Sequence, residues 1–255
     1  MRPRSRFSQV GLDRLVRLKW LERTSELVLA GNTIHEVKAL LRSDLAGSFR
    51  STDVNVRGSA DKTTTILMRV WVTVPTDLES LRTAGLELLG SVRPTEQVAI
   101  HWGMVMAAYP FWSSVSDQVG RLLRLQGSVA STSVQRRLRE QYGERETVFR
   151  RTRYVLRSYV DWGVLEETRE KGVYVAGKLH VIDDPKLVAW IAEAFLRARE
   201  GGIAPLDGLM DSPSLFPFQL KPVVVDRLLS MSTSLDVLRH GLGDDLIMLR
   251  KLPAK

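Results

Sequence analysis

Apolar residues at helical spacing run through most of the chain, and glycine, proline and capping residues cut them into short helices. Leu12, Leu15, Val16, Leu18, Trp20, Leu21, Leu27, Val28 and Leu29 predict a first helix that stops at Gly31-Asn32. Thr33 and Glu36 stand at capping-box spacing ahead of a second helix through Val37, Leu40, Leu41 and Leu45, which ends at Gly47. The period is lost over residues 48–61, which read as a loop, while the β-branched run over 63–74 fits a buried helix or a strand equally well. Pro75-Thr76, with Asp77 and Glu79 in the first turn, opens another helix before Gly90. Pro94-Thr95-Glu96 opens the next, which Pro110 closes or kinks.

From Ser113 the pattern becomes more specific. Val115, Val119, Leu122, Leu123 and Leu125 make a helix that stops at Gly127, followed by a short SVAS link. Thr132 and Gln135 then read as a capping box for a helix with Val134, Leu138 and Tyr142, ended by Gly143. A third helix carries Val148, Thr152, Val155, Leu156 and Tyr159 on one stripe and Arg150, Arg153 and Arg157 on the opposite face. It terminates at Trp162-Gly163. Two β-like runs, Val164-Leu165-Glu166 and Val173-Tyr174-Val175, flank a polar turn ending in Lys171-Gly172 and signal a hairpin. Three helices followed by a charged hairpin is the order of a winged helix-turn-helix.

The remainder predicts a helix from Asp183-Asp184-Pro185 through Trp190 and Phe195 to Gly201-Gly202, then a Pro/Gly-rich loop over 203–222 and short helices or strands to the end. The expected fold class is therefore mainly α. It divides into a helical N-terminal domain (1–112), a winged-helix DNA-binding domain with a small β-hairpin (113–180) and a helical C-terminal region (181–255).

Composition and charge narrow what such a protein does. The 44% hydrophobic share beside 26% charged residues, in 255 residues, is enough to bury a core. With no cysteine, disulfides, thiolate zinc sites, cysteine-held iron–sulfur clusters and cysteine nucleophiles are excluded. Residues 97–116 hold no Asp, Glu, Lys or Arg, yet the apolar part, 98–112, is shorter than the roughly 20 residues a bilayer requires, so a helix buried in the protein is expected. The basic N-terminus leads into charged residues and not an apolar signal core, so a cytoplasmic location without a membrane is expected.

The net charge of +8 is unevenly placed. Residues 121–157 hold ten arginines against three glutamates, and residues 1–23 hold seven basic residues against two acidic ones, leaving the rest mildly acidic. Cationic surfaces on an otherwise ordinary protein are the footprint of a phosphate-rich partner. On the third helix Arg145, Arg150, Arg153 and Arg157 are placed to reach phosphates and base edges, with Arg151 and Tyr154 at the margins. Thr132 at the start of the preceding helix is a phosphate ligand candidate, with Arg136, Arg137 and Arg139 adding charge. Arg169 and Lys171 occupy the expected wing tip, and Arg2, Arg4 and Arg6 form a candidate minor-groove arm.

Evidence for catalysis is thin. His35, His101, His180 and His240 share no metal-binding spacing, and no P-loop, dinucleotide-fold or nucleophile-elbow motif occurs. The pairs Asp183-Asp184 and Asp244-Asp245 read as caps. No catalytic residue, metal or cofactor is expected. The aromatic segments over 109–112 and 215–218 read as core, or as anchors for a partner protein.

The run Arg150 to Arg157 leading into Asp161-Trp162-Gly163-Val164-Leu165 resembles bacterial winged-helix proteins over about 60 residues. The wider order, from NTIHEVKALLRSDLAGSF through YPFW to VLRSYVDWGVL, is similar over residues 25–165 to BrxA-type accessory proteins of BREX phage-defence systems. The hairpin and the tail containing FPFQL depart from that layout. The resemblance implies a bacterial, cytoplasmic, non-enzymatic component of a defence complex that binds double-stranded DNA. A scaffold holding other proteins and a sequence-specific transcriptional regulator stand as alternatives, and RNA as an alternative ligand.

Overall fold

A short 3-10 turn (Arg6–Ser8) and an irregular segment precede the first α-helix. In the computed structural model of the protein, which describes residues 5–48, 56–240 and 244–250, α1 (Leu18–Leu29) begins only at Leu18. Leu12 and Val16, which fit a helical period, are buried from irregular chain instead: Leu12 sits in the left-handed region at φ 61° and the Val16 amide donates to the Ser158 hydroxyl at 3.0 Å. In α2 (Ile34–Ala46) both capping-box bonds form, Thr33 N to Glu36 Oε2 at 2.7 Å and Glu36 N to Thr33 Oγ1 at 3.3 Å.

α3 (Val56–Trp71) resolves the ambiguous run as helix and also takes in residues 56–61, read from sequence as loop; 49–55 lie outside the described residues. The buried positions Ala60, Thr63, Thr64 and Leu67 do keep helical spacing. Two threonines and an alanine on the inner face hid that period from hydropathy.

After α4 (Glu79–Leu89) comes α5 (Gln97–Ala108), in which every residue from Val98 to Ala108 is buried. Among the described residues no helix is long and apolar enough to cross a membrane. Tyr109 breaks the helix for one residue and Pro110 opens α6 (Pro110–Gln126) as its first residue, so α6 starts ahead of Ser113 and spans the expected 112/113 boundary. α5 packs against α4, α6 and α9 (Pro185–Arg197), and Asp184 caps α9 by accepting from the amides of Lys186 and Leu187.

Between them lie β1 (Ser128–Ala130), α7 (Ser131–Tyr142), α8 (Glu146–Asp161), β2 (Leu165–Glu167) and β3 (Val173–Ala176). The first three residues of the SVAS link are thus a strand, and its last, Ser131, opens α7. β3 is the middle strand of an antiparallel sheet ordered β1-β3-β2, with Tyr174 opposite both Val129 and Glu167.

The C-terminal region, expected to be helical, is mixed. β4 (His180–Ile182) pairs in parallel with β6 (Phe218–Leu220), and β5 (Ile203–Pro205) joins β7 (Leu235–His240) and β8 (Asp244–Leu249) in an antiparallel sheet ordered β5-β8-β7. α10 (Leu206–Met210) and α11 (Val225–Ser230) complete it. β4, β5 and β6 are three residues each, too short for an alternation to register in the sequence. The molecule is mainly helical with small sheets.

One hydrophobic cluster runs through all of this, from Val10 to Ile247. At its centre Trp102 meets Trp112, Tyr159, Trp162, Phe216 and Phe218 with ring centroids 4.9 to 5.9 Å apart. Both aromatic segments therefore end in the core, where Phe111, Trp112, Leu215 and Phe218 are buried, and neither is presented as an anchor for a partner.

Candidate nucleic-acid interface

α8 is held from below, which decides what it shows above. Val148, Thr152, Val155, Leu156 and Tyr159 are buried. The Thr152 hydroxyl donates to the Val148 carbonyl at 2.8 Å, and the Tyr159 hydroxyl donates to the Trp112 carbonyl at 2.9 Å, so the inner face is satisfied as well as packed. At 100° per residue Arg150, Arg153 and Arg157 then project directly outward, and all three are exposed. Gly143, at φ 85°, ends α7 in a conformation that disfavours residues with a Cβ and lets α8 begin three residues later.

Charge pairing separates these arginines from others in the same stretch. Arg121 is bound by Asp117 at 2.8 Å and Arg124 by both carboxylate oxygens of Asp211 at 3.0 Å. Among the described residues Arg145, Arg150, Arg153 and Arg157 make no ion pair. Arg151 is set apart on the flank of the helix, half-buried, with a buried Nε that has no hydrogen-bond partner.

Residues of α7 divide between two sides. Arg136 and Arg137 line a cleft with Gln118 and Arg121 of α6, so they sit over the α6–α7 junction. Thr132 is exposed in the first turn of α7. The expected Thr132–Gln135 capping box is absent, since Ala130 is the N-cap and no side chain caps the helix. Instead the Ser131 amide donates to the Gly172 carbonyl at 2.8 Å, tying the start of α7 to the β2–β3 turn. Gln135 is buried and unable to reach back.

The β2–β3 turn is less cationic than its two basic residues suggest. Arg169 and Lys171 are exposed there, but so are Glu166, Glu167 and Glu170. Burial raises the pKa of the Tyr174 hydroxyl on β3; Glu167 adds to that rise while Arg153 and Arg157 oppose it, which places the arginine face and the base of the hairpin within electrostatic reach of each other.

The two basic segments of the sequence meet at the end of α8. Asp161 accepts from the Arg17 guanidinium and from the Leu18 amide, both at 3.2 Å, and so caps α1 while pairing with its N-cap residue. Trp162 Nε1 donates to the Val16 carbonyl at 2.9 Å. Nothing in residue spacing signals that junction, because it joins positions more than 140 apart.

Arg6 is not a free arm. Its guanidinium pairs with Asp77 and donates to the Arg197 carbonyl, which fixes it to the surface around α9. Arg2 and Arg4 lie outside the described residues. Sequence reasoning also passed over Phe149, an exposed aromatic beside Arg150 that stands off the apolar stripe; that offset was the available signal.

Among the described residues no cluster of His, Asp and Glu could hold a metal ion. No known family model, curated protein or solved structure matches the chain.

Proposed function

We propose that the unit from α6 to β3 is a winged helix-turn-helix and that the protein binds double-stranded DNA with α8 in the major groove. The observation that carries the reading is the row of Arg150, Arg153 and Arg157, exposed on one face with no acidic partner among the described residues, while Arg121 and Arg124 nearby are neutralised. The element order α6-β1-α7-α8-β2-β3 with strand order β1-β3-β2 supports it.

Arg150 and Arg157 are about 10 Å apart along the helix axis, at ~1.5 Å per residue. A major groove about 12 Å wide admits an α-helix, and over that axial span guanidinium groups on its outer face can reach base edges and flanking phosphates. A-form RNA offers a deep, narrow major groove that side chains do not enter, which favours B-form DNA. Phosphate contacts supply most of the affinity in this reading. The three glutamates of the hairpin leave the wing a minor contributor.

The protein is proposed to act without catalysis or cofactor. A role beside other proteins of a phage-defence complex is proposed on the layout of residues 25–165 alone.

Fluorescence titration of a mixed-sequence duplex tests the reading. An Arg150→Ala/Arg153→Ala/Arg157→Ala variant is expected to lose at least tenfold in affinity, and an Arg121→Ala/Arg124→Ala variant, whose cations are already paired, less than threefold. Equal losses in the two variants would refute it.

A further inference from the structure

The Phe149 side chain is an exposed apolar group on the flank of the proposed DNA face. It is 41% exposed and is the only aromatic among the large apolar side chains left exposed in the described residues. Several rings near α8 are drawn inward: Tyr159 stacks on Trp102, Trp162 meets Trp102 edge-on, and Phe111 lies 5.3 Å from the Tyr142 ring, while Tyr154 on α8 is half-buried. Among the described residues Phe149 has no such ring neighbour.

Its place on the helix is specific. Phe149 lies three residues after Glu146 and four before Arg153, in the first turn and a half of α8. The N-terminal residues of a recognition helix are the ones that meet base edges, while those further along reach the backbone. At 100° per residue Phe149 is 40° from Arg153, so the ring and that guanidinium share a flank.

A phenyl ring offers no hydrogen bond, so it reads none of the donor and acceptor groups in the groove. The only apolar group a base pair presents there is the 5-methyl of thymine. We propose that Phe149 contacts a thymine 5-methyl group and makes the protein select thymine at one position of its site. This rests on the proposed binding of DNA by α8. 5-Methylcytosine presents the same methyl group and would substitute for thymine at that position.

Duplexes selected by the full-length protein from a random pool provide the test, with each thymine replaced in turn by deoxyuridine. Wild type is expected to lose about fourfold at one position, the worth of one buried methyl-sized group. Phe149→Ala is expected to bind the thymine and uracil duplexes equally while keeping its salt dependence and its melting temperature. Placing 5-methylcytosine there, in place of cytosine, is expected to restore binding in wild type only. Selected sites without a common thymine, or indifference of wild type to uracil at every position, would overturn the inference and leave DNA binding standing. Absence of salt-sensitive binding to any duplex would overturn the DNA reading itself, and this inference with it.

Discussion

Replacing Gly120 by alanine probes how rigidly the helix behind the proposed interface is held. A Cβ built at Gly120 falls 2.0 Å from the Pro213 carbonyl oxygen, 2.7 Å from its carbonyl carbon and 2.9 Å from its Cα. These are backbone atoms, so no side chain can swing aside. To reach ordinary contact, α6 and the turn at Pro213–Leu215 must separate by more than about 1 Å. That movement strains the Arg124–Asp211 pair and shifts Phe216, whose ring is 5.7 Å from Trp102 and 5.8 Å from Tyr159. Overpacking costs about 1–3 kcal/mol, and a backbone clash belongs at the upper end. For a chain of this length, about 3 kcal/mol lowers the melting temperature by roughly 6–12 °C. Thermal unfolding followed by circular dichroism measures it. Gly47→Ala is the control: Gly47 has an ordinary φ of −77° and open space around it, so about 0.5 kcal/mol or less is expected. A Gly120→Ala protein melting within about 2 °C of wild type would refute the packing argument.

Three further outcomes follow from named groups. Burial lowers the pKa of His101 to about 3, against about 6.5 for an unfolded imidazole, so the unfolded chain takes up the proton first as pH falls. Stability should decline by about 1.4 kcal/mol per pH unit from pH ~6.5 toward ~3, and His101→Leu, which also removes a buried Nδ1 without a partner, should flatten that limb in urea unfolding; an unchanged slope would contradict it. Arg6→Ala should cost about 1 kcal/mol of stability through loss of Asp77 and the Arg197 carbonyl, and leave DNA affinity within twofold; a larger loss of affinity would restore a DNA role for Arg6. Glu166→Gln/Glu170→Gln should raise affinity about fourfold at low salt, at roughly 0.4 kcal/mol per charge 10 Å from a phosphate, and no gain in a titration would place the hairpin away from the duplex.

Much of the central unit was legible because its signals are local. The stripe from Val148 to Tyr159, the glycine stops at Gly143 and Gly163, and the hairpin around Lys171-Gly172 are all present as read. What escaped depends on distant partners. The capping box at Thr132 is absent because the Ser131 amide donates to the Gly172 carbonyl and the helix begins at Ser131 with Ala130 as N-cap, while Gln135 is drawn into the core. β1 was read as a link because three residues carry no period, and only β3 makes them a strand. Charge counting located the arginines and could not see that Asp211, 87 residues on, neutralises Arg124. Nor could it see that Asp77 holds Arg6.

The salt dependence of DNA affinity tests the central claim most directly. With about five or six phosphates contacted, the log–log slope for wild type should lie near −4.5 to −5.4, at about −0.9 per phosphate. Removing Arg150, Arg153 and Arg157 should bring it to about −2 to −3. A slope that the triple variant leaves unchanged, or wild-type binding that does not respond to salt, would contradict an interface built on the α8 arginines.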